Sequence, residues 1–337
     1  MKGRQIFLDT LGGAPAAALT VDGRLEDLLI DPGTPFAPGA ILRGKIDRVT
    51  KGGAFVALPG CKGFLRGGAQ RQGSPILVQV TGFPEKGKAV PLTARLVFKG
   101  RTVIVTPGAE GINISRQIKQ EDERLRLFGA VDTYAAATSP HGIVVRTQAR
   151  GAEEAEIARE VDAVLTLADD TLASKGGAPE LLLPALSPHD LARREWLSIG
   201  EDDLVFHTGA FQSAGVLEEL DALFAPDASL IVEPTRALVA VDVNTGADFS
   251  SAAGLKTNLD AARALPRHLR LRGLGGQVVV DFAPMPKPQR RTLEEALSKA
   301  FRADPVETSL VGWTKLGLFE LNRKRDRRPL TEIWSPA

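Results

Sequence analysis

Two apolar runs in the last third of the chain, "ALVAVDVN" over 237–244 and "GQVVVDF" over 276–282, each read as a buried β-strand ending on an aspartate. Between them a helix is expected from about Asn258 to Leu271. A second is expected from about Pro288 to Phe301, where Leu293, Ala296, Leu297, Ala300 and Phe301 keep helical spacing. Strands alternating with helices of that length predict an α/β layer with a substantially parallel core. A right-handed crossover then sets the two strands beside each other or nearly so, pointing the same way. Ligands of open α/β sheets gather beyond the carboxyl ends of strands, and there Asp242 and Asp281 share one edge. Two acids that close repel each other unless a cation shares them. Mg²⁺, or Mn²⁺ in its place, bound by one or two carboxylates plus water and phosphate oxygens, answers that repulsion. Asn244, two residues past Asp242, points to the same side and can hydrogen-bond a phosphate oxygen. The competing reading is that each aspartate only caps its strand or forms a turn.

Charge is unevenly spread. From 151 to 206 there are 13 acidic and 4 basic residues, and from 263 to 328 there are 15 basic and 7 acidic, although the whole chain carries only +1. A basic region of that size suits a polyanion, since Lys and Arg contacts to phosphate carry most nucleic-acid affinity. Arg323, Lys324 and Arg325 in "NRKRDRR" are its candidate RNA contacts; the alternative is that they merely solvate the surface. With 43% hydrophobic and 25% charged residues the composition is that of a soluble globular protein of two to four structural units. No apolar run reaches the roughly 20 residues of a membrane span. No signal peptide is evident at the N-terminus, and the expected location is the cytoplasm. Cys61 stands alone, which excludes an internal disulfide framework and a CxxC zinc site, and the four histidines are scattered without ligand spacing.

The opening 30 residues read as a β-meander, with a hairpin signal at Val21–Gly23. Between Ile41 and about Thr106, five or six short strands with Gly-rich turns predict a small closed barrel. "GKIDRVTKGGAFVALPGCKGFL" resembles the OB-fold RNA-binding domain repeated in the largest small-subunit ribosomal protein. Such barrels bind single strands by stacking bases on exposed aromatics beside basic side chains. Phe55 and Phe64 match those aromatic positions, with Lys45, Lys51 and Lys62 nearby; the alternative places both rings in the barrel core. Further on, a charged helix with Ser115 as its cap is expected to turn Ile118, Leu125 and Phe128 inward. Arg146 and Thr147 close a strand where a guanidinium fork can hold a phosphate or simply face solvent. An acidic helix from Glu153 to Leu172 follows, with Ile157, Val161, Val164 and Leu165 on one face.

"GINISRQIKQEDERLRL", "GIVVRTQ", "VEPTRALVAVDVNTG", "TNLDAARALPRHLRLRGLGGQVVVDF" and "LGLFELNRKR" resemble, in order, blocks of the catalytic half of the ribonuclease E/G family. The resemblance implies an α+β multidomain fold. An RNase H-like subdomain comes in two segments, 1–36 and 177–226. Inserted in it are an OB-fold RNA-binding barrel at 37–107 and a 5′-sensor-like region at 108–176. A DNase I-like α/β catalytic subdomain occupies 227–337. It further implies that Asp242 and Asp281 ligate Mg²⁺, that Asn244 orients the scissile phosphate, and that metal-activated water cleaves single-stranded RNA to 5′-phosphate and 3′-hydroxyl ends. Arg146 and Thr147 match the family's 5′-monophosphate pocket. The paired cysteines of the family's zinc link are absent, so neither zinc nor a zinc-linked dimer is expected, which leaves other oligomers open. Two other classes compete: a non-catalytic RNA-binding protein derived from the family, and a phosphoesterase acting on small nucleotides.

Overall fold

The structure, a computed structural model, describes residues 3–68, 70–135, 140–174, 176–197, 202–224, 229–246 and 251–335. Contacts divide the chain into two units, 1–32 with 205–337, and 33–204. The first unit opens with an antiparallel meander of β1 (Arg4–Leu11), β2 (Ala14–Val21) and β3 (Arg24–Ile30). Its second turn is the one expected: Asp22 and Gly23 have φ of 52° and 82°, both positive as a two-residue hairpin of matching twist requires.

The second unit begins with β4 (Ile41–Thr50), β5 (Gly53–Leu58), β6 (Cys61–Arg66), β7 (Pro75–Val80) and β8 (Val90–Thr93). Pairing in the order β4-β5-β6-β8-β7, with β7 returning to β4, closes the barrel. Leu42, Ile46, Ala54, Val56, Leu65, Val78, Val80 and Leu92 fill it. The strands β9 (Phe98–Lys99) and β10 (Val103–Pro107), counted by sequence among the barrel's last, leave it. With β11 (Ile112–Ile114) and β12 (His141–Val145) they form a second sheet, in the order β11-β12-β10-β9. The helices α1 (Glu121–Ala135) and α2 (Glu154–Ala173) share its core, where α2 buries Ile157, Val161 and Val164 as its spacing requires. In α1 the inward residues are Leu127, Ala130 and Val131, whereas Leu125 is 64% and Phe128 42% exposed. The helix starts at Glu121, later than a Ser115 cap implies, and so turns a different stripe inward; Ser115 instead closes a turn, accepting from the backbone N of Ile118. The strand β13 (Glu180–Leu183) pairs with β4, which keeps it with the barrel rather than with the segment that follows, and α3 (Pro188–Trp196) ends the unit.

The chain returns to the first unit within β14 (Asp202–Phe206), which pairs with β1, and α4 (Ala210–Ser213) and α5 (Val216–Leu223) pack Phe211, Val216 and Leu220 against Phe7, Leu25 and Leu28 of the meander. A five-stranded sheet follows: β15 (Leu230–Pro234), β16 (Val239–Val243), β17 (Gly276–Asp281), β18 (Thr308–Trp313) and β19 (Phe319–Arg323), ordered β15-β16-β17-β19-β18. Only β16 and β17 run parallel, so the substantially parallel core expected from sequence reduces to one crossover. The flanking strands come back through tight turns at Thr235–Leu238 and Thr314–Leu318, which can only join antiparallel neighbours. The crossover is α6 (Ser251–Leu271), and α7 (Arg290–Ala303) follows β17. Both lie in one core with Val239, Val241, Val243, Val278 and Val280. Alternation along the strands turns Ala240, Asp242, Val279 and Asp281 to the opposite, more open face.

Five of the 15 basic residues from 263 to 328 are engaged inside this unit. Asp304 accepts from Arg323 at 2.8 Å and pairs with Arg270, while Asp27 on β3 pairs with Arg327. Arg267 reaches Glu219 at 2.6 Å, and Arg272 donates to the backbone carbonyls of Leu223 and Val232. Burial without a carboxylate partner pushes Arg272 down to about 10. Among the described residues no helix is long and apolar enough to cross a membrane.

Candidate active site and nucleic-acid interface

Asp242 and Asp281 are direct register partners, the last pair of the parallel β16–β17 ladder. Adjacent strands lie about 4.8 Å apart, so the two side chains leave neighbouring positions on the same face. Both are exposed at the carboxyl edge of the sheet. Asn244 donates Nδ2 to Asp242 Oδ2 at 2.7 Å, and its backbone N is anchored on Ser229 O at 2.9 Å. The sequence therefore folds locally as the chemistry needs: apolar residues pack on the helices until the strand ends, and the polar residues emerge there together. No side-chain hydrogen bond or ion pair holds the Asp281 carboxylate among the described residues. Two adjacent exposed acids with an amide suit a hard cation that keeps most of its water. They do not suit a closed zinc site, and among the described residues no three His, Cys, Asp or Glu converge.

In the barrel, Phe55 and Phe64 face each other across β5 and β6, with ring centroids 5.1 Å apart and an interplanar angle of 63°. Their neighbours Ala54, Val56 and Leu65 point inward, so both rings lie on the outer surface, half-buried. This decides between the two readings of these residues: they are not barrel core. Arg48, which sequence reasoning passed over, holds its guanidinium 4.7 Å above the Phe55 ring. Lys62 pairs with Asp47 at 3.1 Å, and Lys45 and Lys51 are exposed on the same barrel. The result is an aromatic platform edged by cations.

The remaining candidates fare differently. Arg323 is 2% exposed and engaged by Asp304 and Thr308, so it is a core residue and not an RNA contact. Arg325 lies against Gly276 at the start of β17, where any added Cβ would collide with its guanidinium, and Lys324 is exposed. Arg146 does sit at the end of β12, but it is 8% exposed. Its Nη1 donates to Gly100 O at 2.7 Å and Arg101 O at 3.0 Å, and its Nη2 to Glu195 at 2.6 Å. Glu195 also takes Lys99 at 2.9 Å and Arg194 at 2.9 Å. Burial alone would raise this carboxyl, but Lys99 above all, with Arg146 and Arg194, holds it below the usual carboxylate range. Thr147 bonds Gln117 and Ser115, each at 3.1 Å. Nothing in the spacing of Arg146 and Glu195, 49 residues apart, signals that they meet.

The profile of the Ribonuclease E/G family matches residues 97–214 and 207–326, taking in Arg146, Asp242, Asn244 and Asp281. The chain belongs to the ribonuclease E/G family. Ribonuclease G of Escherichia coli K12 is 30% identical over 306 residues, covering 78% of this chain and 62% of that protein. Ribonuclease G of Haemophilus influenzae is 28% identical with the same coverage, and Ribonuclease E of Nostoc is 31% identical over 308 residues, covering 77% of this chain and 44% of that protein. The chain thus spans less than two thirds of the length of these relatives. The family profile begins after the barrel, so the case for Phe55 and Phe64 rests on their surface geometry.

Proposed function

We propose that the chain is a divalent-metal-dependent endoribonuclease that hydrolyses single-stranded RNA, in RNA processing or decay in the cytoplasm. The products carry 5′-phosphate and 3′-hydroxyl ends. The observation that carries this reading is the register-paired Asp242 and Asp281, exposed at one strand edge in a chain of this family. Both carboxylates would hold Mg²⁺, for which Mn²⁺ could substitute. A cation bound there would supply a water made nucleophilic at neutral pH and offset charge growing on the phosphate. Asn244 fixes the Asp242 carboxylate with one amide hydrogen and has a second for a non-bridging phosphate oxygen. On the barrel, Phe55 and Phe64 stack bases of RNA while Lys45 and Lys62 meet phosphates, and Lys324 is a phosphate contact of the catalytic unit. The RNase H-like and DNase I-like arrangement of the subdomains is part of the same reading.

A fluorescent single-stranded RNA incubated with and without Mg²⁺ tests it, with product ends mapped by ligation. Undiminished cleavage in EDTA overturns the metal reading, and binding without any cleavage leaves an RNA-binding protein in its place. Phe64→Ala is expected to weaken binding of that RNA by about tenfold, since one base–aromatic stack is worth roughly 1–3 kcal/mol. Fluorescence anisotropy reads the loss, and an unchanged affinity removes the platform from the interface.

Arg146 and Thr147 are the pair that would receive a 5′-phosphate, yet Glu195 already occupies the Arg146 guanidinium. A terminal phosphate must displace that carboxylate, so 5′-monophosphate and 5′-hydroxyl substrates are expected to be cleaved at similar rates. Glu195→Gln removes the competing charge and should favour the 5′-monophosphate by about tenfold, the worth of a charge-assisted hydrogen bond. A wild-type enzyme already strongly dependent on the 5′-phosphate would contradict this.

A further inference from the structure

We propose that Asn258 is a positioning residue that holds Asp281 in place beside Asp242; the inference rests on the reading of this pair as the metal site. Asn258 lies on α6, fully buried, on the stripe it shares with Ala261, Ala262 and Leu265. An uncharged amide on an apolar stripe needs partners, and its two backbone partners belong to one residue, while Nδ2 also reaches Met285 Sδ at 3.9 Å in the same loop. Its Nδ2 donates to Ala283 O at 2.9 Å, and its Oδ1 accepts from Ala283 N at 2.9 Å. Ala283 is two residues past Asp281. The ladder from β17 to β19 ends at Val280, and the ladder to β16 ends at Asp281 itself. Beyond that point the sheet no longer directs the chain, and the Asn258 amide takes over by fixing both polar groups of one peptide position.

Two further observations place the constraint on this turn. Gly254, one helical turn before Asn258, is buried so close to the same loop that a Cβ would lie 2.9 Å from Pro284 O. Asp281 has no side-chain partner of its own among the described residues, so its carboxylate is aimed by its backbone alone. The helix carrying Asn258 is the crossover between the strands that bear the two acids. A single side chain thereby ties the exit of β17 to the element that sets β17 beside β16. Supporting residues of this kind typically govern 10- to 100-fold in metal affinity.

The test is Mn²⁺ binding to the full chain, followed by electron paramagnetic resonance and calorimetry without RNA. Asn258→Asp keeps the acceptor for Ala283 N but sets an oxygen against Ala283 O, and Gly254→Ala pushes the same loop while leaving Asn258 intact. Each should weaken Mn²⁺ binding by about tenfold or more. Leu297→Ala, a core change on α7, serves as the control for loss of stability alone and should bind Mn²⁺ like the wild type in its folded fraction. Wild-type affinity in both test variants, or an equal loss in Leu297→Ala, overturns the positioning role while leaving the metal site standing. Mn²⁺ binding that Asp281→Asn does not disturb overturns the metal reading itself, and the inference with it.

Discussion

Asp242→Asn is expected to lower RNA cleavage by at least about a thousandfold, without loss of the fold or of RNA binding. The amide matches the carboxylate in size but supplies no negative charge, and the cation is left with Asp281 alone. It also removes the charged acceptor that fixes Asn244 at 2.7 Å, so the amide aimed at the phosphate loses its orientation. Stability should change little, because Asp242 is exposed and substitutions at such sites usually stay within about 0.5 kcal/mol. Removing one of two adjacent acids even relieves their repulsion when no metal is bound. Single-turnover cleavage at saturating Mg²⁺ measures the effect, with thermal melting and RNA anisotropy alongside. Activity within about tenfold of wild type would show that the pair does not carry the chemistry.

The second large effect is on folding. Asp304→Ala should destabilise the protein by about 3–5 kcal/mol, the range for stranding a buried cation by removing its partner. The Asp304 side chain is 1% exposed and lies between Arg323, likewise 1% exposed, and Arg270. Its Oδ1 also accepts from the backbone N of Val306 at 2.9 Å, holding the chain as it leaves α7. Truncation therefore takes the paired carboxylate from buried Arg323, which keeps Thr308, removes one of several partners of Arg270, which keeps Asp27 and Glu26 O, and strands the Val306 backbone donor. Urea denaturation reads the loss, and Lys324→Ala, at an exposed position beside Arg323, should leave the midpoint unchanged. If Arg323→Ala weakened RNA binding without altering stability, the placement of this arginine in the core would be wrong.

These two variants separate what could be read along the chain from what could not. The carboxylate pair was legible because its placement follows from neighbours in sequence: two apolar runs, each ending on an acid, and one helix between them. The wider sheet was less so. Its outer strands are set by turns at Thr235–Leu238 and Thr314–Leu318, which made antiparallel pairs where alternation suggested parallel ones. Asn258 left only a faint signal, a polar residue on an apolar stripe, and nothing in the sequence pointed to Ala283 as its partner.

By itself the sequence determined the apolar runs, the helical spacing and the acids at the strand ends, since those depend on period and order alone. Only the tertiary structure decided which charged and aromatic residues face solvent. Arg323 and Arg146 look like surface cations until Asp304 and Glu195, distant in sequence, fold against them. Phe55 and Phe64 look equally like core until strand parity turns Ala54, Val56 and Leu65 inward and both rings out. The physical reason is common to all four. A side chain's exposure is fixed by partners that come together on folding, and a one-residue change of phase in a strand exchanges its inside for its outside.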